Sequence, residues 1–260
     1  MTGSFLRLGA FVLGLLGLRG VELVAPDHPP TVPLRARWPV NLGFGAVNGV
    51  IVSLACASCY AFSAQSGFAA HLGLLRPLSL SAWARIPLEI VLLDLLTYLL
   101  HRAYHEVPVL WRLHVVHHSD LDLDVSSASR FHTGEVLLSS ILKVGFVLVV
   151  GISPQGLVVF ESVMLACAQF QHANIRLPAR LEAGLWRTLV PPAMHRIHHT
   201  PTPEDTNSNY GTILTVWDAL LGTLRRHPPD PIASFGVETL RDPRQVGAAR
   251  LLTLPFTLSR

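Results

Sequence analysis

Residues Asn41 to Ala64 run for 24 positions without a formal charge. As an α-helix, such a run is long enough to cross a hydrocarbon layer of ~30 Å. Lipid admits only structures whose backbone groups bond internally, so this stretch points the chain toward a helical membrane architecture. Three further apolar runs follow: about 80–100, interrupted by Arg85, Glu89 and Asp94; Val136 to Ile152; and Leu157 to Phe170. The last two are joined by Gly151 to Pro154, which reads as a tight turn, and together they predict a hairpin that enters the bilayer and returns. Half of the 260 residues are hydrophobic and only 14% are charged, against about 25% in a typical soluble domain. Leu8 to Leu18, between Arg7 and Arg19, has the length of a signal-peptide core. Glu22 and the lack of a small-residue cleavage pattern predict a retained, tilted membrane helix instead.

The predicted class is therefore all-α: about four spans with a cytosolic helical, histidine-rich cap. Net charge is +3, and Lys143 is the only lysine. If residues 41–64 and 80–100 pair, and 136–170 is a hairpin, then Arg35, Arg37, Arg102, Arg112, Arg130, Arg176, Arg180, Arg187 and Arg196 share one side. The positive-inside rule makes that side cytoplasmic, with Arg76 as an exception. Arginine dominance suggests a GC-rich bacterial genome, hence an inner membrane. A short interfacial helix is expected around Val246–Leu252. Cys56, Cys59 and Cys167 lie in apolar stretches and read as small buried residues rather than a redox pair.

There are thirteen histidines, and all but His28, His71 and His227 lie between His101 and His199. Those three read as ordinary structural residues. His101 and His105 stand at i, i+4; His114, His117 and His118 stand at i, i+3, i+4, and His195, His198 and His199 repeat that spacing. Such positions share one helix face, and Asp94 and Tyr98 continue the stripe of His101 and His105. His132 and His172 stand alone between the groups. Imidazole binds iron, zinc, copper and nickel while neutral, so a site beside lipid can hold metal with few carboxylates. Nine or ten histidines exceed one ion's needs and suit two. Asp120, Asp122 and Asp124 read as an exposed loop. Glu89 and Glu161, at membrane depth, are functional suspects.

At these motifs the chain resembles the fatty acid hydroxylase/sterol desaturase superfamily of integral membrane di-iron oxygenases. The residues that carry the resemblance are Asp94-x-x-x-Tyr98-x-x-His101-Arg102-x-x-His105, Trp111-x-x-His114-x-x-His117-His118-Ser119, Gln171-His172-x-Asn174 and His195-x-x-His198-His199. Asn209, Tyr210, Gly211, Leu214, Trp217, Asp218, Gly222 and Thr223 match a further tail motif. The resemblance implies a di-iron domain over 80–223, after an N-terminal membrane region (1–79) and before a cytosolic or interfacial tail (224–260). It implies metal ligands at His101, His105, His114, His117, His118, His172, His195, His198 and His199. His132 matches an R-x-H-P-x-E segment in which Thr133 replaces the proline. Where some hydroxylases have a further histidine, this chain has Ala168, so one ligand could come from His132, Asn209 or water. Asp94, Asn174, Asn209 and Asp218 are candidates for orienting the ligands from behind.

The activity implied is O₂-dependent hydroxylation or desaturation of a lipid C–H bond. Two iron ions, a lipid from the bilayer and a separate electron carrier of cytochrome b5, ferredoxin or rubredoxin type with its reductase would be required. No GxGxxG, haem or flavin motif is present, His28-Pro29-Pro30 does not make a cytochrome b5 domain, and no nucleic-acid partner is expected. Two rivals keep the histidines: a zinc-dependent lipid-modifying enzyme, against which the ligand surplus argues, and a membrane metal transporter or binding protein, for which the polar residues within the spans are few.

Overall fold

The computed structural model of the chain describes residues 2–65, 73–226 and 234–258; His71 and His227 lie outside them. The described residues are helical without strands, and the pairing between Leu189 and Leu214 is an isolated bridge. Six longer helices come first: α1 (Thr2–Val24), α2 (Leu34–Gln65), α3 (Ala82–Glu106), α4 (Pro108–His118), α5 (Thr133–Val150) and α6 (Pro154–His172). Shorter ones follow: α7 (Ala179–Leu185), α8 (Pro192–His198), α9 (Pro203–Thr206), α10 (Val216–Leu221) and α11 (Ala248–Thr257). α5 packs on α2, while α6 packs on α1 and α3. An apolar core of Leu93, Val147, Val150, Leu157, Phe160 and Ile213 fills the space between them.

The predicted turn between the third and fourth apolar runs is present. Gly151 ends α5 at φ 78°, the left-handed region glycine tolerates. A Cβ there would stand 2.6 Å from the Cα of Gly73. Ser153 then caps α6 by accepting from the N–H of Gly156, with Pro154 opening the helix. Glu89 of α3 accepts from the N–H and the hydroxyl of Ser153 at 2.7 and 2.6 Å, and from Arg85 at 2.9 Å. The buried Glu89 carboxylate thus holds a turn. Glu161, the other suspect, pairs with Lys143 at 2.7 Å.

Leu34–Cys59 and Thr133–Val150 are long and apolar enough to cross a membrane, and little of either is buried within the protein. Val47, Val50, Leu54, Leu137 and Ile141 are exposed on them, a pattern that suits lipid better than water. α3 and α6 match the other two apolar runs but carry more polar residues.

Two breaks position the functional side chains. Val107, extended, ends α3, and Pro108 starts α4 at once, where its missing N–H costs nothing. The chain therefore folds back and lays α4 against the last turn of α3. α11 then covers α4, with Leu251 and Leu254 buried against Val115, Val116 and Phe44. The expected tail helix is longer than 246–252, and it docks one face on the protein while Leu252 and Phe256 stay exposed. Cys59 is buried in the core, with Cys56 and Cys167 packed against it.

Candidate metal centre

Nine of the ten central histidines meet at one end of the bundle. Ligating atoms of His101, His105, His114, His118 and His198 lie within 4.8 Å of one another, and so do those of His117, His172, His195 and His199. The two H-x-x-H-H motifs are used in opposite senses. On α4, His114 and His118 go to the five-histidine cluster and His117 to the other. Around α8, His195 and His199 go to the four-histidine cluster and His198 to the first. Helical spacing explains the split, since i and i+4 share a face and i+3 is turned away by about 60°. The clusters adjoin: the rings of His118 and His199 stack with centroids 4.4 Å apart.

The nitrogens are prepared for a cation. The Nδ1 of His101 faces the carbonyl of Tyr210 at 2.8 Å, and that of His198 the carbonyl of Ser208 at 2.7 Å. The Nδ1 of His117 faces the carbonyl of Arg130 at 3.1 Å, and that of His172 the carbonyl of Ala168 at 2.7 Å. A carbonyl only accepts, so each of these Nδ1 atoms carries the hydrogen and each Nε2 presents a lone pair. In the five-histidine cluster the Nε2 atoms of all five members are buried without a partner. In the four-histidine cluster, successive Nε2 atoms of His117, His172, His195 and His199 stand 3.1–3.2 Å apart. Ligands ~2.1 Å from one ion stand about 3.0–3.4 Å apart at octahedral or tetrahedral angles. The lone pairs of His117 and His172 repel at that distance, and a metal ion between them removes the conflict. Burial and the neighbouring imidazoles hold His117, His118, His195 and His199 well below the ordinary histidine range, and burial with the nearby His114 pushes His198 down to about 3. These five rings are neutral, as ligands must be.

The four residues expected to orient the ligands do not touch a clustered ring; Asp94, Asn209 and Asp218 brace the loops that do. Asp218 accepts from the N–H groups of Tyr210 and Gly211 at 2.8 Å and from the hydroxyl of Thr223. Asp94 accepts from the N–H groups of Ile213 and Leu214 at 3.1 Å and from the indole of Trp217 at 2.8 Å. Together they fix the loop whose Tyr210 carbonyl orients His101. Gly211 is needed there, because a Cβ would meet Asp218 at 2.8 Å and the carbonyl of Leu214 at 2.9 Å. Asn209, at φ 54°, donates to the carbonyls of Met194 and Arg225, tying α8 to that loop. Asn174 caps the chain at Asp27 and His28.

His132 corrects the expected ligand set, for it joins neither cluster. Its Nδ1 accepts from the N–H of Gly134 at 3.0 Å, capping α5, and its Nε2 faces the carbonyl of Leu252 at 3.3 Å. Both nitrogens are engaged. Asn209, the other candidate for a missing ligand, has its amide taken up as described. Thr133 opens α5 where the family pattern has proline. The residue that matters in this segment is Glu135, which contacts the Nδ1 of His114 at 2.7 Å; the R-x-H-T-G-E segment contained it, but attention to histidine passed over it. Asp120, Asp122 and Asp124 are a second correction, being buried rather than on an exposed loop. Arg37 binds Asp120 and Asp124 at 2.7 Å, and Asp122 holds His28 at 3.0 Å and the N–H of Thr31. Burial would raise the Asp120 carboxyl, but Arg37 and Arg130 overcome it and hold the group well below the usual carboxylate range.

The described residues make a helical protein with two apolar helices of membrane-crossing length and two adjoining histidine clusters, each able to hold a metal ion. The fatty acid hydroxylase family model matches residues 86–223, and the chain belongs to that family. It is 31% identical to an ornithine lipid hydroxylase of Rhizobium tropici over 59% of this chain and 45% of that protein. It is 31% identical to an alkylglycerol monooxygenase of Danio rerio over 50% of this chain and 28% of that protein. It is 26% identical to a cholesterol 25-hydroxylase of Rattus norvegicus over 82% of this chain and 74% of that protein. The chain thus spans less than half the length of the first two relatives. No solved structure matches the chain.

Proposed function

We propose that this chain is an integral membrane hydroxylase that uses O₂ to oxidise a C–H bond of a lipid, with two irons held by the nine clustered histidines. The observation that carries the reading is the convergence of histidine nitrogens into two adjoining groups, five Nε2 atoms buried without a partner in one and four standing 3.1–3.2 Å apart in succession in the other. Nine imidazoles are more than a zinc site of three or four ligands needs. The names of the relatives, all lipid or sterol oxygenases, favour the same chemistry. The irons would supply the two-electron activation of O₂, and this chain's part is to hold them apart from water and to fix each ring by its Nδ1 contact.

In this reading α2, α3, α5 and α6 cross the bilayer, and the histidine end faces the cytoplasm, where a separate electron carrier would dock. The substrate would be a long apolar lipid that approaches from the bilayer. The test is lipid mass spectrometry of a host expressing the wild type or His198→Ala, alongside metal analysis of both purified proteins. The wild type is expected to hold two irons per chain and to add one oxygen to a host lipid, and the variant to lose the product. Fewer than two ions per wild-type chain, or a product formed equally without O₂, would sink this reading.

A further inference from the structure

Of the described contacts to the clustered rings, one comes from a carboxylate. Glu135 places Oε1 2.7 Å from the Nδ1 of His114, and both side chains are buried. The second oxygen, Oε2, is buried without a partner, and so is the Nε2 of His114. No arginine or lysine pairs with this carboxylate among the described residues. Buried carboxylates are stable when paired with a cation or when they serve a metal. On the far side of the ring from the carboxylate, the unpartnered Nε2 of His114 is where a cation would compensate it. That nitrogen faces His101, His105, His118 and His198.

The local structure holds Glu135 in place. It lies in the first turn of α5, where the helix dipole favours negative charge. His132 caps that turn, and the hydroxyl of Tyr104 donates to the backbone carbonyl of Glu135 at 3.1 Å. The Tyr104 ring also stacks on His114 with centroids 5.7 Å apart. Both the backbone of Glu135 and the ring its carboxylate serves are therefore held from α3.

We propose that Glu135 is a positioning residue that delivers carboxylate charge through His114 to the five-histidine cluster alone, so that the two clusters bind iron unequally. The inference rests on the two-metal reading above. An imidazole whose Nδ1–H is given to a carboxylate is a stronger donor at Nε2 than one given to a carbonyl. The five-histidine cluster then holds its ion more tightly and at a lower reduction potential than its geometry with carbonyls alone would give.

The test compares full-length wild type, Glu135→Gln and Glu135→Asp in detergent, each titrated with ferrous iron against a chelator. The glutamine keeps the hydrogen-bond acceptor and removes the charge. Expected is a loss of about 10- to 100-fold in affinity for one of the two ions in Glu135→Gln, with the other unchanged and partial recovery in Glu135→Asp. Mössbauer spectra of the iron-loaded proteins should show one of two sites altered, with a raised potential for that site. Glu135→Gln that matches the wild type in affinity and spectrum overturns this inference alone, as does a loss shared equally by both ions. Wild type that binds fewer than two ions takes down the functional reading and this inference with it.

Discussion

In the five-histidine cluster His114 rests on a carboxylate while His101 and His198 rest on carbonyls; in the four-histidine cluster the braced rings, His117 and His172, rest on carbonyls alone. The supports also differ in origin. The first cluster is braced by the start of α5 and by the loop of Ser208 and Tyr210. The second depends through His117 on the carbonyl of Arg130, at the end of the buried acidic segment. That segment is fixed from α2: Arg37 grips Asp120 and Asp124, and Asn41 joins Asp120 to Arg130. Both clusters thus lean on contacts remote in the chain, His101 on Tyr210 in the first and Arg37 on Asp120 and Asp124 in the second, but only the second leans on ion pairs from α2. Ligand number alone does not distinguish metal sites; what stands behind each ring decides how firmly it is aimed.

The largest expected effect separates the clusters outright. His105→Ala removes a ligand from the first, and His199→Ala removes one from the second. Each should lower iron from two ions per chain to one and abolish most of the activity, since the proposed chemistry needs both. Metal analysis alongside product assay checks this, and an activity that survives in either single variant would break the comparison.

Arg37→Ala comes next. It leaves Asp120 and Asp124 buried without their cation, which costs about 3–5 kcal/mol when one partner of a buried pair is removed. Thermal unfolding in detergent should show the loss. The sharper expectation is directional: the four-histidine cluster should release its ion at a lower chelator concentration than the five-histidine cluster. Equal release from both would show that the acidic segment supports the fold rather than one cluster.

How far the sequence exposed this arrangement depends on the range of the contact. Nine clustered histidines were legible because helical spacing puts i, i+3 and i+4 near one another, and the apolar runs and the turn at Gly151 were legible for the same local reason. The division into five and four was not, because it depends on the kink at Val107 and Pro108 and on how α8 faces α4. Asp120, Asp122 and Asp124 looked like an exposed loop because their partners, Arg37 and His28, are remote in sequence. Asp94 and Asp218 were expected to orient the rings, yet their hydrogen bonds go to the loop of Tyr210, one step removed from them. Glu135 went unnoticed since a single glutamate near a helix start has an ordinary reading as a favourable charge at the dipole.

His132 gives the smallest effect and the finest test of where the clusters end. Its ring is fully used as a cap: Nδ1 accepts from Gly134, which leaves the hydrogen on Nε2 for the carbonyl of Leu252. To ligate through either nitrogen, it would have to give up the bond from Gly134 and uncap the first turn of α5. His132→Ala should therefore keep two ions per chain and cost stability of about 0.5–2 kcal/mol, the range for loss of a helix cap. His132→Asn, which also caps well, should recover most of that loss, as read from the melting temperature. A residual effect is expected at the five-histidine cluster only, because the capped turn is the one that presents Glu135 to His114. Loss of an ion in His132→Asn would instead make this histidine a ligand and redraw the boundary between the two sites.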